Sequence, residues 1–125
     1  MKRKILVIDD SPTLRKILDF YLTKNNYLVQ TANNGKVGLY ILEKETFDLI
    51  ILDIQMPVMS GKEVLLEMRA KNIKTPILIL SAEKNENMVE MGLELGALFY
   101  MTKPFKPNDI VAKIHIVFKE ISTSS

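Results

Sequence analysis

Three four-residue apolar runs stand out along the chain: Ile5-Leu6-Val7-Ile8, Leu49-Ile50-Ile51-Leu52 and Ile77-Leu78-Ile79-Leu80. Each is bounded by polar or turn residues and is too short to stand as a helix. Unbroken apolar runs of this length suit central strands of a parallel sheet covered on both faces. Tyr27 to Ala32 and Ala97 to Met101 are weaker runs and read as outer strands. Helical patterns fill the gaps. Ser11 is an N-cap with Pro12 at the first helical position, and Leu14, Ile17, Leu18, Tyr21 and Leu22 form one apolar stripe. Asn33-Asn34-Gly35 opens a second helix carrying Val37, Leu39, Tyr40, Ile41 and Leu42. Ser60 and Glu63 form a capping box ahead of Val64, Leu65 and Met68. A fourth helix is predicted from about Asn85 to Leu95 and a fifth from about Asn108 to Ile121.

Strand followed by helix, five times over, predicts an α/β fold: a doubly wound (βα)5 sandwich around a parallel five-stranded sheet. Right-handed crossovers then bring the carboxyl ends of the strands to one edge, where such folds bind ligands. The folded unit is expected over 1–121, with 122–125 as a tail or the start of a linker.

Composition narrows the function classes without choosing one. A length of 125 residues fits one domain. The formal charge of +2 arises from 17 basic and 15 acidic residues scattered along the chain, which gives no footprint for direct contact with nucleic acid. Cysteine is absent, excluding disulfides and thiolate metal sites. The basic start, Met1-Lys2-Arg3-Lys4, is followed by an apolar run too short for a secretory signal. No run approaches the ~18 apolar residues that a spanning helix needs. A cytoplasmic protein without membrane insertion is the expectation.

The residues that follow each strand carry the chemistry. The first strand leads into Asp9-Asp10, the third into Asp53, the fourth into Ser81-Ala82 and the fifth into Lys103-Pro104. Taken singly, each has an ordinary explanation as a cap or a turn. Brought to one edge, they make a cluster of three carboxylates, a hydroxyl and an ammonium. Carboxylates so close resist ionisation unless a cation joins them. Magnesium, a hard ion that accepts oxygen ligands, waters and phosphate oxygens, is the natural partner. With it and Lys103 in place, Asp53 could act as nucleophile towards phosphorus, since phosphoryl transfer needs mainly positioning and charge neutralisation.

Ile5 to Asp10, Asp53-Ile-Gln-Met-Pro57 with Ser60-Gly61, Ser81-Ala82 and Tyr100-Met-Thr-Lys103-Pro104-Phe105 together resemble the receiver domains of two-component response regulators, over residues 3 to 121. The resemblance implies a flavodoxin-like sheet in the order 2-1-3-4-5, in a single-domain chemotaxis-type regulator or an isolated receiver. It implies that Asp53 takes a phosphoryl group from the phosphohistidine of a sensor histidine kinase or phosphotransfer protein. Asp10, Asp53 and the backbone carbonyl of Gln55 would ligate Mg2+ directly, and Asp9 mainly through water. Lys103, Ser81 and the amide of Ala82 would contact the phosphoryl group, with Lys103-Pro104 cis. Ser81 and Tyr100 would form the switch, and Gln55 and Glu83 would tune dephosphorylation. Such a protein is a phosphoacceptor regulator rather than an enzyme. Its face of fourth helix, fifth strand and fifth helix would bind a protein partner or a covalent output domain.

Departures from the family pattern include Ser81 where threonine is commoner, Val37-Gly38 where Glu-Ala is usual, and Gly92 where alanine is frequent. Gly92 suits either a weakened helix that eases switching or close packing on the sheet. In the fifth helix, Ile110, Ile114, Val117 and Ile121 form one stripe, with Val111, His115 and Phe118 beside it. The second series suits either a wide core-facing surface or an exposed patch for a partner. Two other classes fit less well. Aspartyl-phosphate phosphatases on related folds carry Asp-x-Asp after the first strand, whereas Asp9-Asp10 is an adjacent pair. A flavodoxin-type binder needs a phosphate-cradling loop there, and Asp9-Asp10-Ser11-Pro12 offers negative charge instead.

Overall fold

A computed structural model describes residues 2–82 and 86–123. Strands β1 (Lys4–Ile8), β2 (Leu28–Ala32), β3 (Leu49–Asp53), β4 (Ile77–Ser81) and β5 (Phe99–Thr102) alternate with helices α1 (Pro12–Lys24), α2 (Gly35–Lys44), α3 (Gly61–Ala70), α4 (Glu86–Glu94) and α5 (Pro107–Thr123). The strands form one sheet in the order β2-β1-β3-β4-β5, and every neighbouring pair is parallel.

The apolar runs are unbroken because both faces of the central strands are covered. Ile5, Val7, Leu49, Ile51, Leu78 and Leu80 pack with Leu18 and Leu22 of α1 and with Ile110, Ile114 and Val117 of α5. Leu6, Ile8, Ile50, Leu52, Ile77 and Ile79 point the other way, towards Leu39 and Leu42 of α2 and Val64, Leu65 and Met68 of α3. Every residue of β3 and β4 is buried, whereas β5 is half-buried throughout and β2 exposes Leu28, as their weaker patterns predicted. Two helix starts follow the caps read from the sequence, at Ser11 and Ser60, and the second helix takes Asn34 of its Asn33-Asn34-Gly35 opening as its cap. The side chains of Ser11, Asn34 and Ser60 accept from the amides of Leu14, Val37 and Glu63, and the Ser60–Glu63 capping box is reciprocal.

The fifth helix settles two expectations. Val111 and Phe118 are buried in the core with the first stripe, so these two of the second series widen the core-facing surface rather than forming an exposed patch. The Phe118 ring lies against Tyr27 (centroids 5.4 Å apart) with the Arg3 guanidinium stacked over it at 4.6 Å. His115 is exposed, and its Nδ1 hydrogen-bonds the Tyr27 hydroxyl at 2.8 Å. The helix also outruns its expected end at Ile121, where Arg3 donates to the Ser122 hydroxyl (2.7 Å).

Two departures from the family pattern have a packing cause. A Cβ at Gly38 would sit 2.5 Å from Cδ1 and 2.9 Å from Cγ1 of the buried Ile8. At Gly92 a Cβ would meet Ile79 Cδ1 at 2.5 Å, with the next atom 3.8 Å away. Both helices approach the sheet through a glycine, which supports close packing as the reason for Gly92. Alanine would gain about 1 kcal/mol of helix propensity at either site, set against about 1–3 kcal/mol for overpacking. Gly92→Ala requires only the tip of Ile79 to rotate aside, but Gly38→Ala requires two carbons of Ile8 to shift. Urea denaturation should therefore find Gly38→Ala destabilised by about 1 kcal/mol and Gly92→Ala affected less. The reverse order would contradict this packing account.

Candidate functional site

Parallel register sets the strand ends side by side. Ile8 pairs with Leu52, Asp53 with Leu80, and Ser81 with Thr102. The ladder runs one step past several strands: the amides of Asp9, Ile54 and Lys103 donate to the carbonyls of Ala32 (3.1 Å), Leu80 (3.0 Å) and Ser81 (2.7 Å). The side chains at this carboxyl edge are thus fixed by the sheet itself. Asp9, Asp53 and Ser81 are buried, while Asp10 and Ala82 are exposed.

Asp9, Asp10 and Asp53 each offer a carboxylate oxygen, all within 4.8 Å of one another. Lys103 reaches in from the end of β5, its Nζ 2.9 Å from Oδ2 of Asp9 and 3.4 Å from Oδ2 of Asp53. The Lys103-Pro104 bond is cis. Oδ1 of Asp9 accepts from the amide of Ser11 (2.9 Å), and Oδ1 of Asp53 accepts from the amide of Gln55 (3.1 Å). The sheet therefore brings together the acidic and basic residues expected from the sequence, with Ser81 ending the neighbouring strand. The Gln55 side chain is exposed, and Tyr100 is half-buried against the core on the α2–α3 side. Glu83 lies outside the described residues.

Electrostatics show what such a cluster lacks. Burial and the charge of Asp9 push the Asp53 carboxyl up to about 6, against the pull of Lys103 and the Gln55 amide. For Lys103, burial alone would lower the pKa, but the hydrogen bond and charge of Asp9, joined by Asp53, raise it. The donor set is hard oxygen, and the exposed Asp10 leaves a side open to water, which fits Mg2+.

Three further residues shape the site, of which Arg15 and Val58 carry no signal in the sequence pattern. Arg15 donates from Nη1 to the carbonyl of Asp9 (2.7 Å). Gly61 lets α3 start against the Asp53 strand: a Cβ there would lie 2.6 Å from Ile54 Cα and 2.7 Å from the Asp53 carbonyl oxygen. Val58 adopts φ +71° and is 76% exposed in the turn after Pro57. For a β-branched residue that backbone is strained. Only Gly61 left a trace in the sequence, as part of Ser60-Gly61.

A parallel five-stranded α/β sheet with three carboxylates and a lysine across its strand ends is the arrangement that the comparisons with known proteins now place in a family. The chain belongs to the response regulator receiver domain family, whose pattern it matches over residues 5–115. It is 40% identical over 119 residues to the alkaline phosphatase synthesis transcriptional regulatory protein PhoP of Bacillus subtilis, an alignment covering 95% of this chain and 50% of PhoP. The chain thus spans about half the length of the curated relatives it matches. Among solved structures, Vibrio cholerae chemotaxis protein CheY4 shares 34% identity with a TM-score of 0.86, over 94% of this chain and 99% of that one. The Thermotoga maritima response regulator TrrA, solved in complex with Mg2+-BeF, shares 35% identity with a TM-score of 0.80, over 92% and 97% of the two chains.

Asp53 carries a testable pH signature. Its pKa is raised by folding, so the folded state holds a proton that the unfolded chain has lost between about pH 4 and about pH 6. Stability should fall as pH rises through that window, and the deficit should persist above it. Without divalent metal, Asp53→Asn should be more stable than wild type at pH 7.5 by about 3 kcal/mol, roughly ten degrees in thermal midpoint. The two proteins should converge below pH 4. A pH-independent difference would refute this charge account.

Proposed function

We propose that this chain is a phosphoryl-accepting switch in which Asp53 is the acceptor. The observation that carries the reading is one ammonium, Lys103, held between the carboxylates of Asp9 and Asp53 at the ends of three parallel strands. In the transfer, an Asp53 carboxylate oxygen attacks the phosphorus of a phosphohistidine on a sensor histidine kinase or phosphotransfer protein. The new O–P bond forms as the P–N bond breaks, and the departing imidazole takes up a proton. Lys103 and the Ser81 hydroxyl hold phosphoryl oxygens, with the amide of Ala82 completing the set. Asp10, Asp53 and the carbonyl of Gln55 would hold Mg2+, with Asp9 contributing mainly through water. When bound, the ion offsets the charge that collects as the phosphoryl group meets three carboxylates. TrrA, 35% identical and solved in complex with Mg2+-BeF, supports magnesium as the ion.

Phosphorylation gives Ser81 and Lys103 new partners. Ser81 draws inward, the Tyr100 ring moves into the space left, and the face of α4, β5 and α5 changes for a partner or covalent output domain. Gln55 and Glu83 flank the site and set the lifetime of the phosphorylated state. The receiver unit covers 1–121, and its last helix carries on to Thr123. Among the described residues no helix is long and apolar enough to cross a membrane. We place the chain in the cytoplasm, acting on proteins without direct contact to nucleic acid and without catalytic turnover of its own.

Incubation with Mg2+ and acetyl phosphate, followed by intact mass spectrometry, tests the acceptor. The expected result is one added phosphoryl group, not formed when the metal is chelated beforehand and absent in Asp53→Asn. No gain in wild type, or a gain that survives Asp53→Asn, overturns the assignment.

A further inference from the structure

Arg15 stands apart from the residues already given a role. It lies in the first turn of α1, where the exposed amides of a helix disfavour a cation, and that turn holds no acidic residue to offset it. Its guanidinium turns back past the helix start, and Nη1 donates to the carbonyl of Asp9 at 2.7 Å. Every polar group of Asp9 is then engaged. Its amide goes to Ala32, its carbonyl to Arg15, Oδ1 to the Ser11 amide and Oδ2 to Lys103.

The carbonyl matters for the next residue. It belongs to the peptide joining Asp9 to Asp10, one step beyond the end of β1. The neighbouring strand holds the amide of Asp9, but the Asp9–Asp10 peptide has left the ladder and can turn about its flanking bonds. Its orientation decides where the exposed Asp10 carboxylate points. We propose that Arg15 is a positioning residue, pinning the Asp9–Asp10 peptide so that the Asp10 carboxylate faces Asp53 across the metal site. The inference rests on the magnesium-dependent reading above. The guanidinium also places positive charge beside the acidic cluster without taking a carboxylate oxygen from the metal.

Titrating the full chain with MgCl2 and following the backbone amide shifts of Asp10 and Gln55 reads metal affinity directly. Dispersion of the same spectra reports the fold. Arg15→Met keeps the side-chain stem and helix propensity but removes the donor. It should weaken Mg2+ binding roughly tenfold, the scale of lost support behind a metal ligand. Arg15→Lys, which restores one charged donor, should recover part of that loss. Phosphorylation of Arg15→Met by acetyl phosphate should need more Mg2+ yet approach the wild-type rate at saturation. Wild-type affinity in Arg15→Met, a loss that lysine does not relieve, or a rate that saturating Mg2+ does not restore would each overturn the role. Absence of any Mg2+ response in wild type would instead defeat the underlying metal site, a result distinguishable from failure of Arg15 alone.

Discussion

Two buried carboxylates share one ammonium, and the rest of the structure serves to keep them there. Asp9 and Asp53 sit at adjacent strand ends, where parallel strands lie about 4.8 Å apart. Like charges at that spacing, shielded from water, oppose folding. Lys103 relieves part of this repulsion, but the Asp53 carboxyl remains raised to about 6. The cost is tolerated because β1, β3 and β4 are held on both faces by apolar side chains that are almost completely buried. A packed sheet thus holds an excess of negative charge in place at its edge.

The same connections tie the site to the edge of the sheet. Lys103 is bound through its amide to the Ser81 carbonyl and through its side chain to β1 and β3, so it links three strand ends. Ser81 pairs with Thr102, and Ile79 with Tyr100, in the same β4–β5 ladder. In the proposed switch, a phosphoryl group on Asp53 changes the partners of Lys103 and Ser81 together. The change is delivered to β5, a half-buried edge strand and so one of the least constrained parts of the sheet.

Much of this could be read from the chain because its strongest signals are local and periodic. Runs buried on both faces must be apolar throughout, so β1, β3 and β4 announced themselves, and the polar residues ending them fell at one edge by topology alone. The caps at Ser11 and Ser60 were equally legible, since a side chain that bonds an amide three residues on leaves its mark in the sequence. Other features depend on distances that no periodicity encodes. Helical spacing placed Val111 and Phe118 beside the core stripe of α5 but could not say how wide a surface the sheet covers; Tyr27 and Arg3 decide that. The bond from Arg15 to a backbone carbonyl leaves no pattern, and the positive φ of Val58 runs against its residue type. Gly38 and Gly92 registered as departures from the family, and their cause emerged only with Ile8 and Ile79 beneath them.

In the proposed reaction the edge cluster receives a tetrahedral phosphoryl group on Asp53, with Lys103 and a metal sharing its charge. A crystal structure of the chain grown with Mg2+ and beryllium fluoride examines this atom by atom. The account predicts the fluoride adduct on an Asp53 carboxylate oxygen, with Lys103 Nζ and the Ser81 hydroxyl on its fluorines. Mg2+ should lie on Asp10, Asp53 and the Gln55 carbonyl, with the Tyr100 ring turned inward. An adduct on Asp9 or Asp10, or an Asp53 left bare under saturating reagent, would contradict it.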